Sequence, residues 1–249
     1  MSEQTHYLLL WLEGPLQAWG HDSKFGVRDT LNFPTRSGVL GLLCCARGAG
    51  GPEVEWLQQM STMAMEVRAY ARTDRNGSPV MQELPLRDFQ MVGSGYDNSD
   101  PWQSLLIPKT AEGKKAVGGG TKMTYRYYLQ DSAFAVVLEV PEKQAQALAE
   151  ALQNPVWDLY LGRKTCAPTE LIYQGLYENT AAAWQQADTI AESKQRQASY
   201  AVMDAGADSK SDKESEANGG EILTLNDVPI QFGTNKRYRD RQVTLLELT

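Results

Sequence analysis

Tyr7-Leu8-Leu9-Leu10-Trp11-Leu12-Glu13, closed by Gly14-Pro15, is the stretch on which the fold turns. A short run of Tyr, Leu and Trp stopped by a turn pair predicts a buried first strand. The polar residues 17–32, with Gly20 and Gly26 among them, read as a loop. Then comes Phe33-Pro34-Thr35-Arg36-Ser37-Gly38, leading into residues 39–47. Thr35 or Ser37 offers a hydroxyl to cap a helix start. Val39, Leu42, Leu43 and Ala46 share one helical face, and Gly48, Gly50 and Gly51 end the helix. Pro52 suits the first turn of a second short helix, in which Trp56, Met60 and Met63 have inward spacing. Met65, Val67, Ala69 and Ala71 alternate with polar or larger residues, which predicts a half-exposed strand. Strand, helix and strand in that order suggest a sheet packed on helices.

From residue 73 to residue 122 the periodicity fails. The segment is polar and carries glycines at 77, 93, 95, 113 and 118–120. Apolar patches at residues 84–89 and 102–107 favour an ordered excursion, a protruding hairpin, over a disordered insert. Strands are expected at residues 124–129 and 133–140, with Gln130-Asp131-Ser132 as the turn between them. Pro141 opens a helix carrying Ala145, Leu148, Ala149 and Leu152 on one face. A further strand is expected at 157–161, a helix at 181–197, and strands at 200–203, 222–225 and 241–248. The whole is a single α+β domain over residues 1–249, and its order is compatible with a ferredoxin-like fold, as in RNA-recognition modules.

The net charge of −7 argues at first against nucleic acid. Its distribution argues less. Residues 204–221 hold six acids and two lysines in a Ser-, Gly- and Ala-rich setting, which predicts a solvated, mobile loop. Residues 107–126 hold five bases and one acid, and residues 236–241 four bases and one acid. Phosphate contact needs such basic surface, although a solubilising face has the same composition. Cys44, Cys45 and Cys166 form no Cys-x-x-Cys pair and fit buried thiols in a reducing cytoplasm. With His6 and His21 the only histidines, a zinc site is not expected. No cofactor motif is present. No stretch is apolar for long enough to span a bilayer, and residues 1–6 lack the parts of a secretory signal.

Candidate contacts follow from the chemistry of single-stranded RNA, which asks for cations on the backbone and rings on the bases. In Gly14-Pro15-Leu16-Gln17-Ala18-Trp19-Gly20, glycines let backbone approach a ligand, and Trp19 is either a stacking surface or a buried indole. Arg36 sits where a helix begins, and helix starts attract anions. Arg28, just before, adds to that patch or is an ordinary surface arginine. Lys109, Lys114, Lys115, Lys122 and Arg126 lie in and just after the excursion, interleaved at its end with Tyr125, Tyr127 and Tyr128. Strand alternation puts Tyr125 and Tyr127 on one face, and Arg126 with Tyr128 on the other. Arg87 and Arg163-Lys164 are weaker candidates. The run Lys236, Arg237, Arg239 and Arg241 has an ordinary explanation in a charged edge strand. Catalysis has thin support: His21 is the one histidine in an expected loop, no serine sits in a nucleophile elbow, and no pair of acids stands out.

Together these segments resemble one family. Residues 14–20 and 33–43 look like the two N-terminal signatures of the type I-E member of the fifth CRISPR-associated protein family. Leu86-Arg87-Asp88-Phe89, residues 127–134 and Tyr160-Leu161-Gly162-Arg163-Lys164-Thr165-Cys166 are similar to its later landmarks in the same order. The resemblance implies a ferredoxin-like core with residues 73–122 as a protruding thumb. It implies a non-catalytic subunit of the Cascade surveillance complex that captures the 5′ handle of CRISPR RNA and caps the backbone for antiviral defence. Its partners would be CRISPR RNA, the neighbouring backbone subunit, the large subunit and, indirectly, target DNA. Handle contacts would fall on Gly14, Gln17 and Trp19, on Arg36 and Ser37, and on Arg87. The contrary reading is a metal-independent endoribonuclease that processes repeat RNA.

Overall fold

The computed structural model describes residues 5–21, 23, 26–92, 99, 100, 102, 110, 112–114, 122–204 and 220–248, with the backbone alone at Val92 and Lys122. The first strand β1 (Thr5–Gln17) is followed by the two-residue β2 (Val27–Arg28), then α1 (Arg36–Arg47), α2 (Val54–Met60) and β3 (Met65–Arg72). Next come β4 (Leu86–Val92), β5 (Lys122–Pro141), α3 (Glu142–Gln153) and β6 (Tyr173–Tyr177). The chain closes with α4 (Thr180–Ser193), β7 (Arg196–Asp204), β8 (Glu221–Gln231) and β9 (Arg237–Glu247).

The architecture is mixed α/β around one large sheet. Its main path runs β6-β1-β5-β3-β7-β9-β8, with β2 and β4 attached to β5. Every neighbour on the main path is antiparallel. The apolar run that opens the chain is buried on both faces, which is why it shows no polar alternation. Leu8, Leu10 and Leu12 pack in one core with Leu40 and Leu43 of α1 and Leu148 of α3. Leu9 and Trp11 pack on the opposite side with Ala183, Trp184 and Ala187 of α4.

Helix α1 follows its local signals. Thr35 is the cap, its hydroxyl accepting from the Gly38 amide at 3.1 Å. Gly48 ends the helix in the left-handed conformation, φ 68°.

Two expectations are corrected. Gln130-Asp131-Ser132 is not a turn, because β5 runs unbroken for 20 residues. Strand β1 passes through Gly14-Pro15 and keeps pairing, Gly14 with Ser132 and Leu16 with Gln130. Asp131, the residue skipped opposite Pro15, takes φ 43° and kinks the strand without ending it. Residues 157–161 are not a strand. The backbone there bonds off the sheet, Val156 N–H just before it to the end of α1 at Ala46 O and Leu161 N–H to Cys166 O. The edge strand β6, which the sequence reading passed over, takes the place beside β1. Within the expected excursion, β4 pairs antiparallel with residues 122–128 of β5 as a ribbon, which β2 joins on the other side of Tyr125 and Arg126. Residues 205–219 of the expected acidic loop lie outside the described residues.

The kink is held by charge. Arg196, 5% exposed, donates to Glu13 Oε1 at 3.1 Å and to Asp131 Oδ1 at 3.2 Å. Burial pulls the Glu13 carboxyl up, but the Trp11 indole, Arg196 and Lys194 outweigh it and hold it below the ordinary 4.5. Burial likewise pulls Asp131 up, while Arg72 and Arg196 hold it below 3.8. Both carboxylates bind protons more weakly folded than unfolded. Their stabilisation is complete above about pH 4.5 and is lost as pH falls through their lowered folded values. The unfolding temperature, followed by circular dichroism, is expected to drop below about pH 4. Arg196→Gln should shrink that acid-side drop; an unchanged drop would remove Arg196 from the account.

Candidate nucleic-acid interface

Three segments far apart in sequence meet at one place. After β1, the Ala18 amide donates to Leu161 O at 3.1 Å. Gly162, φ 94°, lies so close that a Cβ there would stand 1.8 Å from Ala18 O. On the other side, a Cβ at Gly38 would meet the Trp19 ring at 2.8 Å. The stretches 14–20, 33–43 and 160–166 therefore pack as one unit, and glycines make the approach possible.

That unit floors a groove of about 860 Å³. One side is the glycine-faced half of α1, with Ser37, Gly38, Gly41 and Cys45. The loop containing Val156, Trp157, Tyr160 and Lys164 forms a second side, and the β8–β9 hairpin with Phe232, Lys236 and Tyr238 a third. Lys164 and Lys236 are exposed and have no ion-pair partner among the described residues. Trp157 is 46% exposed. The groove joins unpaired cations, an open aromatic ring and backbone that a ligand can approach.

The expected contact residues are placed unevenly. Ser37 lines the groove. Trp19 does not present a stacking face: it is 1% exposed, and its indole donates to Gln17 Oε1 at 3.0 Å. Gln17 is fully buried and donates to Leu12 O and Ser132 O. Gly14 sits inside β1, where a Cβ would meet Ala167 O at 2.8 Å. Of these three, Trp19 lines the floor of the groove, and Gly14 and Gln17 lie in the strand that leads to it. Ordinary strand and core packing claims them because β1 runs past the expected turn.

Arg36 is the largest correction. Its side chain is 2% exposed and faces inward. It donates to Asp204 Oδ2 at 2.5 Å and to Met63 O at 2.8 Å. The anion site of the helix start is already filled, since the Arg36 amide donates to Asp227 Oδ2 at 2.7 Å. Arg241 bridges Asp227 and Asp204 and closes the circuit. Burial lowers the Arg36 pKa from its ordinary value, with Asp204 opposing, and the guanidinium remains a cation. A phosphate has no open face of Arg36 to meet in this arrangement.

Arg163 is also engaged inside, donating to Tyr127 O at 2.9 Å and to Arg28 O at 2.8 Å, with its guanidinium over the Tyr128 ring. It ties the groove loop to β2 and to the root of the ribbon. Arg28 pairs beside Arg126 on β5. On the ribbon, Arg87 lies 5.6 Å from the ring centre of Tyr125, which is 41% exposed and contacts Phe89. Tyr128 is buried on the opposite face, with Arg126 half-buried beside it, as strand alternation requires. Lys114 is exposed. Lys109 and Lys115 lie outside the described residues, as does the Lys122 side chain. Sequence reasoning explained Lys236 as part of a charged edge strand and took Trp157 as the start of a further strand, and nothing local joins the two. Their common groove exists only after the hairpin and the 156–164 loop close on α1.

A family model described as CRISPR-associated protein (Cas_Cas5) matches residues 7–244. The chain belongs to that family. This Cas5 chain is 34% identical over 172 residues to the CRISPR system Cascade subunit CasD of Escherichia coli (strain K12), covering 68% of this chain and 70% of that one. It is similar to a chain of a CRISPR RNA-guided surveillance complex, TM-score 0.66 at 27% identity, covering 97% of this chain and 89% of the other. A crystal structure of a Cas protein matches with TM-score 0.58 at 25% identity, covering 97% and 94%. Among the described residues of this Cas5 chain, no group of three or more His, Cys, Asp or Glu is arranged to hold a metal ion. No described helix is long and apolar enough to cross a membrane.

Proposed function

We propose that the chain is the non-catalytic RNA-binding subunit of a type I-E Cascade, holding the 5′ handle of CRISPR RNA and capping the backbone for antiviral defence. One observation carries the reading. The segments that resemble the family's signatures, 14–20, 33–43 and 160–166, converge on a groove that holds Lys164, Lys236 and Trp157. Kinship with a Cascade subunit and with a chain of an RNA-guided complex supports it. Cations at the groove meet phosphates, and rings meet unpaired bases.

In this reading Ser37, Lys164 and Lys236 face RNA in the groove. Arg87, Tyr125 and Arg126 extend the contact along the ribbon, with Arg28 beside its root, and Lys109, Lys114, Lys115 and Lys122 add cations for the RNA backbone. Gly14, Gln17, Trp19, Arg36 and Arg163 hold the frame. The core is ferredoxin-like. The order β6-β1-β5-β3, with α1 joining β1 to β3 and α3 joining β5 to β6, supports this. We read 1–249 as a single domain whose thumb insertion falls at 73–122, with the β4–β5 ribbon as its described part. The backbone subunit and the large subunit are the protein neighbours, and target DNA is reached through them. The three free cysteines suit a reducing cytoplasm.

Sequencing the RNA that copurifies with the tagged chain, from cells carrying its neighbouring genes, tests the proposal. Short RNAs sharing one repeat-derived 5′ end are the expected product. Lys164→Gln and Lys236→Gln should each weaken retention across all sequences and lower the salt slope by about one. Partner proteins recovered without RNA would make the chain a protein-only scaffold.

A further inference from the structure

We propose that Trp157, Lys164 and Lys236 form a subsite for one unpaired nucleotide of RNA, its base stacked on the indole and its flanking phosphates on the two lysines. The subsite rests on the reading that the groove faces RNA, and it adds what that reading leaves open: which ring takes a base.

Trp157 differs from the indoles that hold the fold together. Trp11, Trp19, Trp56 and Trp184 each donate the indole N–H to an internal acceptor. Trp157 has no such acceptor among the described residues. A buried tryptophan normally finds a polar partner; the half-exposed Trp157 leaves its N–H to solvent or to a ligand. It is also not loose. The Val156 amide donates to Ala46 O at the end of α1 at 3.0 Å, and Val156 packs directly on Gly48. The far edge of the Trp157 ring rests on Gly50, whose Cβ, if present, would stand 3.1 Å from Cη2. A missing side chain thus seats the ring against backbone and leaves it 46% exposed beside the groove. A rigid, open indole costs little entropy on binding.

The cations come from two separate walls. Lys164 follows Gly162 on the loop that Trp157 begins, while Lys236 comes from the β8–β9 hairpin, and both line the same groove. The hairpin is itself fixed, Phe232 N–H donating to Pro52 O at 3.0 Å. An open ring that shares its groove with lysines from two walls suits a single-stranded unit, because only an unstacked base offers a face. A duplex would present phosphate to the lysines and nothing to the indole.

The test uses the full chain and a single-stranded RNA matching the 5′ end of the copurified RNAs, with 2-aminopurine placed at each position in turn. One position is expected to be quenched on binding to the parent chain. Trp157→Ala should abolish that quenching and weaken binding roughly tenfold or more. Trp157→Phe should restore most of both, and Trp157→Leu neither. Unfolding temperatures of all three variants check that the fold is kept. Leucine serving as well as phenylalanine would reduce Trp157 to apolar packing and overturn the subsite. Unchanged affinity and quenching in Trp157→Ala would do the same, with the parent still binding RNA. A parent chain that binds no RNA at all would sink the broader reading, and the subsite with it.

Discussion

Gly162→Ala is expected to lower the unfolding temperature by about 10 °C, or to prevent recovery of folded chain. Two separate costs add. The residue has φ 94°, where a non-glycine residue costs about 1–3 kcal/mol. Its new Cβ would also stand 1.8 Å from Ala18 O, a distance no contact tolerates. Ala18 cannot retreat. Its own amide is bonded to Leu161 O, and the next residue, Trp19, is held by Gln17, Thr30 and Leu31. A combined cost of about 3–5 kcal/mol is typical of such severe cases. At roughly 2–4 °C per kcal/mol for a chain of this size, the shift follows. Gly77→Ala is the control, with φ 81° and nothing within 4 Å of the added Cβ. It isolates the conformational cost, and thermal unfolding of the two variants side by side separates the terms. If Gly162→Ala melts no lower than Gly77→Ala, the close approach to Ala18 is not a structural constraint.

Arg36→Ala is expected to be nearly as damaging, and for a reason unrelated to RNA. The substitution leaves the Met63 carbonyl without its donor and takes from Asp204 one of its two cations, Arg241 remaining. Breaking one partner out of a fully buried ionic network costs about 3–5 kcal/mol, and the exposure of Asp204 and its bond to Arg241 put this case at the lower end. Lysine should not rescue it, because a single ammonium cannot reproduce the planar fork that reaches both acceptors. The distinction from a phosphate contact is measurable at a temperature where the variant remains folded. The slope of log affinity against log salt should be unchanged in Arg36→Ala, while Lys236→Gln should lower it by about one. A variant that melts like the parent and loses one unit of salt slope would restore Arg36 as a direct RNA ligand.

Much of the scaffold was legible because its signals are local. Thr35, the apolar spacing after it and Gly48 specify α1 within fourteen residues of chain. The leucine run of β1 and the apolar stretch at the end of β5 announce strands without help from elsewhere. Legibility failed where two local signals competed with pairing. Gly14-Pro15 and Gln130-Asp131-Ser132 both read as turns, yet they lie opposite each other. Continuing the ladder past them satisfies backbone that two turns would leave exposed, and one kinked residue is the cost. Strand β6 carries Gly175 and half-buried tyrosines, so it has no clear alternation, and its place beside β1 alone makes it a strand.

The candidate site divided along the same line. By itself the sequence determined the family kinship, the capped helix and the alternation that separates Tyr125 from Tyr128. Hydrophobic period and capping depend on neighbours a few residues away. Tertiary structure decided which polar groups face outward. The Arg36 guanidinium is turned inward by an acid 168 residues distant in the chain, and its amide is taken by another 191 residues away. Trp19 is enclosed by the helix that packs over it. Lys164, Lys236 and Trp157 become one surface only when two loops close on α1. A charge goes where its partner is, and a partner brought in by long-range packing leaves no mark on the residues beside it.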